Sequence, residues 1–237
     1  MTTVRIGMVN YINTAPIYEE WKARTIPADW QVTEAPPSTL NRLLAENGID
    51  LGYVSSHEYA VRPEWYRILA DLSISATGPV GSVFLFSSLP LEELGGRPVL
   101  RTGQSQTSVA LVKIVLEEFS KVRPHYRIGE VCAGMQRDPD ISAVLAIGDE
   151  ALRLHTEKMY PYQLDLADIW YKATGLPFVF AVFAVREEFV CTHPSTLRQV
   201  WQTLIDCRDR GRERLAEISR QVAPRIPMDE TACCDYL

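Results

Sequence analysis

The chain has 237 residues, enough for one large or two modest domains, and its 46% hydrophobic and 23% charged content is that of an ordinary globular protein with a substantial core. Its formal net charge of −6 comes without a basic run, which argues against a nucleic-acid partner and leaves any anionic ligand to be held by local donors. No apolar run is long enough to span a bilayer, and no charged segment followed by an apolar one precedes the first strand, so neither a membrane nor a secretory route is expected.

Val4–Val9 is apolar and too short for a helix, and reads as a first strand. It breaks into the polar loop Asn10-Tyr11-Ile12-Asn13-Thr14, closed by Pro16. The missing N–H of Pro16 suits the first turn of a helix, which is expected over residues 17–23. A strand that runs out into a polar loop and then a helix start is where an open α/β sheet binds small anions. Residues 30–35 alternate and predict a strand. Residues 38–47 predict a helix with Ser38 as its N-cap and Gly48 as its C-cap. Residues 49–54 form a second core strand, ending in Ser55-Ser56-His57-Glu58-Tyr59. Strands over 68–75 and 82–87 follow, separated by Gly78-Pro79-Val80-Gly81.

Residues 90–96 read as a short helix and Pro98–Arg101 as a strand. The polar turn at 103–108 opens a helix expected from about Val109 to Lys121. Residues 127–132 predict a strand, and 141–147 an apolar run ended by Gly148-Asp149. A helix over 165–174 is capped by Gly175, and 178–185 is a long apolar strand. Residues 195–223 are expected to be helical, with breaks at Pro224 and Pro227. The alternation of strands and helices predicts the α/β class. The chain is expected to leave a first block after Ser88 and to return to it after Arg186. Residues 1–88 with 187–237 then make one lobe and 89–186 the other, with a cleft between them.

The polar turns at strand ends carry the candidate chemistry: Tyr11, Asn13 and Thr14, then Ser55 and Ser56, then Gly81-Ser82, then Gln106, Thr107 and Ser108, then Gly148 and Asp149. The turn at 106–108 is the strongest anion site, because it offers hydroxyls and unpaired helix N–H groups together. Plain helix capping explains the same residues. Asp149 is either a cleft carboxylate or a cap for a helix starting at Glu150. Asn13 is either an active-site amide or a loop-bridging asparagine. His57, His125, His155 and His193 are scattered, and only His57 neighbours a polar turn; none makes a metal-ligand pattern. Cys132, Cys191, Cys207, Cys233 and Cys234 are odd in number and lack a C-x-x-C pattern, which fits a reducing cytoplasm. No phosphate-binding or nucleophile-elbow motif is present. From the residues alone, the reading ends at a small-anion site rich in amides and hydroxyls and without an obvious base, equally suited to a solute-binding protein and to an enzyme.

Six blocks in order add a resemblance. They are VNYINTAPI at 9–17, DLGYVSSHEY at 50–59, GSVFLFSS at 81–88, QTSVALVKIVL at 106–116, AIGDEAL at 146–152, and the segment over 165–185 ending in TGLPFVFAVFAV. Together they resemble the chorismate dehydratase family of the futalosine route to menaquinone. The resemblance implies the two-lobed type II periplasmic-binding-protein fold, used as an enzyme, with chorismate as the small-molecule substrate and no cofactor. It implies dehydration of chorismate to 3-[(1-carboxyvinyl)oxy]benzoate. Asn13 would position the reacting groups, and Ser82 would bond the carboxylate or the leaving hydroxyl. Ser56, Thr107 and Ser108 would hold the carboxylates, with Tyr11, Thr14, Ser55, Gln106, Gly148 and Asp149 completing the binding set. A substrate carboxylate, that of the enolpyruvyl arm, would take the proton. Two other readings stay open. One is a non-catalytic aromatic-carboxylate binding protein or sensor of the same fold. The other is the related 1,4-dihydroxy-6-naphthoate synthase, whose opening motif differs. The family usually continues for a few tens of residues in C-terminal helices, so the end of lobe one is expected to be abbreviated here.

Overall fold

The computed structural model describes residues 3–131, 138, 140–226 and 228–237. The chain runs through β1 (Val4–Val9), a 3-10 turn (Ile12–Thr14), α1 (Ala15–Lys22), β2 (Trp30–Ala35), α2 (Pro37–Ala45), β3 (Leu51–Ser55), α3 (Ser56–Val61), β4 (Tyr66–Ala76) and β5 (Val83–Ser87). It continues through a 3-10 turn (Leu91–Glu93), β6 (Pro98–Arg101), α4 (Gln106–Lys113), a π-helical stretch (Ile114–Phe119), β7 (His125–Ile128), β8 (Ala143–Ile147), α5 (Gly148–Glu157), β9 (Tyr162–Asp165) and α6 (Leu166–Thr174). It closes with β10 (Phe178–Arg186), α7 (Glu187–Thr192), α8 (Pro194–Glu213), α9 (Leu215–Val222), a 3-10 turn (Ala223–Arg225) and α10 (Glu230–Tyr236). The α/β class expected from the alternation is the one observed.

The chain divides into two compact units, Met1–Ile74 with Phe180–Leu237, and Ser75–Val179. The sequence reading puts the changes of block near Leu89 and Arg186, at breaks in the apolar pattern. The units instead change over inside β4 and β10, two long strands whose residues are individually unremarkable at those points.

The first unit holds a mixed sheet in the order β2-β1-β3-β10-β4. β1 lies parallel to β2, from Val4 opposite Trp30 to Val9 opposite Ala35, and parallel to β3, with Ile6 opposite Leu51. β10 returns antiparallel to β3, with Ala181 opposite Ser55. β1 and β3 are buried along almost their whole length, which is why they read as continuous apolar runs rather than as alternating ones. Ile6, Met8, Leu40, Leu44, Leu51, Tyr53 and Phe183 form the core with Val200, Leu204 and Cys207 of α8. The buried positions of α8, at 200, 204, 207 and 211, recur at helical spacing and make one stripe.

That stripe ends in a close approach. A Cβ built on Gly211 would stand 1.7 Å from the Pro16 carbonyl oxygen, so only glycine lets α8 lie against the first turn of α1. Further along α1, Glu20 pairs with Arg214 at the α8–α9 junction, and Glu19 Oε1 lies 2.8 Å from Arg225 Nη2. The loop that precedes α1 is thereby braced from the C-terminal helices.

The second unit holds a mixed sheet in the order β7-β6-β8-β5-β9. β5 is antiparallel to β8, with Val83 opposite Ile147, and antiparallel to β9, with Phe84 opposite Asp165. β6 is parallel to β7 and β8. Phe84, Phe86, Val144 and Ala146 pack with Ala151 and Leu154 of α5.

Several expected boundaries move, for identifiable reasons. Pro37 takes the first position of α2, so Ser38 lies inside the helix and does not cap it. Asn47, at φ 60°, takes the left-handed position expected of Gly48. The helix expected over 195–223 is broken at Arg214, whose φ of −114° departs from helical values, and α7 precedes it. The strand expected over 127–132 is β7, ending at Ile128. Cys132 and Pro227 lie outside the described residues.

Candidate functional site

The loop after β1 is built around Thr14. Its hydroxyl lies 2.9 Å from both the Val9 and the Tyr11 carbonyl oxygens and shares its proton between them, closing the loop on itself. Ile12 is buried beneath, and Pro16 sits in the first turn of α1 as expected. Thr14, expected to bind substrate, therefore has its donor turned inward and holds the loop. Tyr11 is half-buried in extended backbone, just before the 3-10 turn. The turn presents Asn13, whose Oδ1 is buried and has no hydrogen-bond partner among the described residues. Natural structures rarely leave a buried polar atom unpaired, since doing so costs about 1–3 kcal/mol. Of all the residues expected at the site, Asn13 alone carries such an atom.

β3 ends beside β1 and parallel to it, so the segment at Ser55-Ser56 leaves the sheet at the same edge as the Asn13 loop. Ser55 Oγ caps α3 by accepting from Glu58 N at 3.1 Å, and it accepts from Asn41 Nδ2 at 2.9 Å. The Ser55 N–H donates in turn to Asn41 Oδ1 at 2.9 Å. Ser55 is thus a buried structural link, and Ser56 is the half-buried first residue of α3. Glu58, buried one turn into α3, pairs with Arg62 and accepts from Tyr66 Oη at 3.1 Å. Burial, with the Glu58 charge beside it, pushes the Tyr66 hydroxyl up to about 12. Sequence reasoning missed Asn41. The available signal was an amide placed between Leu40 and Leu44 on the apolar face of α2.

Four polar segments of the second unit share one edge of its sheet, because the start of β5 meets the ends of β8 and β9, and the end of β6 runs beside the end of β8. Ser82, 3% exposed, precedes β5, and its carbonyl accepts from Gly148 N at 2.8 Å. The turn before it is held by Asp165. One carboxylate oxygen, Oδ2, accepts from Val80 N at 3.0 Å and from Gly81 N at 2.7 Å. The other, Oδ1, accepts from Ala167 N at 2.9 Å and from Asp168 N at 3.1 Å at the start of α6. Gly81 has a φ of 73°, the left-handed region that favours glycine.

Helix α4 opens at Gln106, three residues before the Val109 start that was expected, and gives way to the π-helical stretch after Lys113. Ser105 is its cap, accepting from Ser108 N at 3.1 Å and lying 3.0 Å from Ser108 Oγ. Gln106, Thr107 and Ser108 form the first turn, with Gln106 exposed and the other two buried. The capping role is therefore Ser105's, and the Ser108 hydroxyl is tied to it. Helix α5 begins at Gly148, so Asp149 lies in its first turn and does not cap it. Glu150 follows with Oε1 buried and unpaired among the described residues, and burial raises its carboxyl above the usual range despite Arg153 at 3.5 Å. Sequence reasoning passed over Glu150.

Of the histidines, His57 follows Ser56 in α3 and His155 lies in α5, while His125 and His193 belong to other segments. His57 and His125 are exposed, His155 stacks on Phe84 and His193 on Phe189. Among the described residues, no group of three His, Cys, Asp or Glu is placed to hold a metal ion.

A family model described as menaquinone biosynthesis matches residues 4–237. The chain belongs to this menaquinone biosynthesis family. Among curated relatives, the chorismate dehydratase of Thermus thermophilus is 32% identical over 247 residues, covering 98% of this chain and 86% of the relative. The chorismate dehydratase of Campylobacter jejuni is 31% identical over 182 residues, covering 75% of this chain and 66% of the relative. Among solved structures, a protein from Archaeoglobus fulgidus superimposes with a TM-score of 0.71 at 18% identity, covering 99% of this chain and 86% of that one. The periplasmic aliphatic sulphonate binding protein of Escherichia coli superimposes with a TM-score of 0.67 at 13% identity, covering 100% and 82%. These two likenesses bear on the fold, which is that of the periplasmic binding proteins, as the resemblance implied. In this member of the menaquinone biosynthesis family, the expected residues thus gather at one edge of each sheet: Tyr11, Asn13, Thr14, Ser55 and Ser56 in the first unit, and Ser82, Gln106, Thr107, Ser108, Gly148 and Asp149 in the second.

Proposed function

We propose that this protein is a chorismate dehydratase, a hydro-lyase converting chorismate to 3-[(1-carboxyvinyl)oxy]benzoate on the futalosine route to menaquinone. Family membership supports the substrate, and the buried, unpaired Oδ1 of Asn13 carries the assignment of the reacting group. In the elimination, the C3–H bond breaks and its proton passes to a carboxylate of the substrate, that of the enolpyruvyl arm. The electron pair is delocalised through the ring onto the ring carboxylate. The C4–O bond then breaks, the hydroxyl leaves as water after taking up a proton, and the ring becomes aromatic. The driving force lies in the substrate, so the protein has to orient it and stabilise the charge arriving on the ring carboxylate.

Asn13 accepts from the C4 hydroxyl through Oδ1 and donates through Nδ2. An amide is no base at neutral pH, so its part is orientation. Ser82 donates to the ring carboxylate or to the leaving hydroxyl. Ser56, Thr107 and the first-turn N–H groups of α4 hold carboxylate oxygens. Thr14, Ser55 and Ser108 support these groups through the bonds described above. The elimination balances without a cofactor. The protein's location is cytoplasmic, which the free thiols at Cys191, Cys207 and Cys234 support.

Incubation of the purified protein with chorismate, followed by chromatography, tests the proposal. Loss of chorismate with accumulation of the enolpyruvyl benzoate is the expected result. Chorismate that is bound and recovered unchanged returns the protein to a non-catalytic binding role, which the sulphonate-binding neighbour exemplifies within the same fold.

A further inference from the structure

We propose that Asp165 is a positioning residue for Ser82, and that its carboxylate holds the turn at 80–82 in the geometry the elimination needs. The inference rests on the reading of Ser82 as a group that touches the substrate. Asp165 has the sequence signature of an ordinary helix cap, a carboxylate immediately before Leu166 that accepts two N–H bonds from the first turn of α6. Capping accounts for Oδ1 alone. Oδ2 reaches back across 84 and 85 residues of chain to the N–H groups of Gly81 and Val80, at 2.7 and 3.0 Å.

Those two bonds fix the Pro79–Val80 and Val80–Gly81 peptide groups, so the turn is held up to the residue that precedes Ser82. On its other side, the Ser82 carbonyl accepts from Gly148 N at 2.8 Å. Ser82 is thus gripped fore and aft, and the left-handed φ of Gly81 sets the direction in which the serine leaves the turn. Nothing else among the described residues bonds to the Val80 or Gly81 N–H groups from a side chain. Charge-assisted bonds of this kind are short and directional, and two on one oxygen define an orientation as well as a distance. The carboxylate therefore joins a helix start to a reactive turn through its two separate oxygens.

The test separates the two halves of Asp165. Asp165→Ser keeps a good N-cap for α6, but its single short hydroxyl does not reach the turn as well. Asp165→Asn keeps the length but turns an N–H₂ group toward one of the two donor pairs, and serves where the serine variant folds poorly. Each is assayed for chorismate turnover and melting temperature, alone and combined with Ser82→Ala. We expect kcat to fall on the order of 10²-fold with KM within a few-fold, while Asp165→Ser melts close to wild type. In the Ser82→Ala background, the same change should cost no further kcat, because the group being positioned is gone. A purely structural Asp165 would lower the melting temperature and leave kcat per folded molecule intact, and that result overturns the inference. So do losses from Ser82→Ala and Asp165→Ser that multiply independently. If Ser82→Ala alone turns over like wild type, or the wild type leaves chorismate unchanged, the reading of the site fails and takes the inference with it. If Ser82→Ala is crippled and Asp165→Ser is not, the inference alone fails.

Discussion

Gly211 and Pro16 meet backbone to backbone, 195 positions apart in the chain, with no room for a methyl group between them. The obstacle is a carbonyl, which cannot rotate aside as a side chain does. We expect Gly211→Ala to destabilise the protein by about 1–3 kcal/mol or more, as overpacked sites do. Because Pro16 closes the Asn13 loop, the folded fraction should also lose turnover. Urea unfolding paired with a chorismate assay checks both, and a variant as stable as wild type would mean that α8 moves away freely.

Asn13→Leu should separate stability from activity. Removing an oriented hydrogen-bonding group costs about 10²–10³ in kcat. Removing a buried carbonyl that has no partner among the described residues should leave the melting temperature unchanged or higher. Asn41→Leu makes the contrast, since it strands the Ser55 N–H and deprives Ser55 Oγ of a donor. It should cost about 1–3 kcal/mol in stability. Turnover by Asn13→Leu within a few-fold of wild type would remove Asn13 from the reaction.

At the start of α4, two neighbouring hydroxyls should behave differently. Ser105→Ala removes the cap and should cost about 0.5–2 kcal/mol of stability. Thr107→Ala should instead weaken chorismate binding by about 1–2 kcal/mol, through loss of a bond to a buried carboxylate. Calorimetric titration and thermal melts on both variants decide, and equal ligand affinity in Thr107→Ala and wild type would make Thr107 a bystander.

Two glutamates give opposite pH signatures. Burial raises the Glu19 carboxyl, but bonds from Lys22 and Arg225 outweigh it, so its folded value lies below 4.5. Its contribution is present above 4.5 and lost as pH falls through the depressed value. Burial raises Glu150 above 4.5, so its carboxyl favours the folded state at low pH and loses that contribution as pH rises through the folded value. Against wild type, Glu19→Gln should melt lower at neutral pH, with the gap closing below 4.5. Glu150→Gln should melt at or above wild type at neutral pH, with its gap closing as the solution is acidified. Melting curves in which both variants were offset from wild type in the same direction at neutral pH would contradict these environments.

Much of this was legible in the chain itself. The strand, loop and proline at 4–16 announced their order because each carries a local signal: apolar run, turn residues, fixed φ. The family blocks supplied the candidate site residues. What escaped was the partner across space. Asn41 reads as an ordinary amide in an amphipathic helix, and Ser55 as a polar candidate ligand at a strand end, until the fold brings them together. Asp165 shows its local half, the α6 cap, and hides its distant half. The shift of the α4 cap from 106–108 to Ser105 follows from competition among neighbouring hydroxyls, any of which could have begun the helix. β9 is short and half-exposed, and is paired only to β5 at the sheet edge, so four residues carried too little pattern.

The bracing of α1 also has a consequence for the order of events during synthesis. Glu20 and Glu19 find Arg214 and Arg225 only 194 and 206 residues later, and β10 enters the first sheet between β3 and β4. The unit that holds β1 is therefore completed after the other one. Once the chain has emerged as far as residue 179, the whole of the second unit is available to fold, while the loop carrying Asn13 still waits for its scaffold.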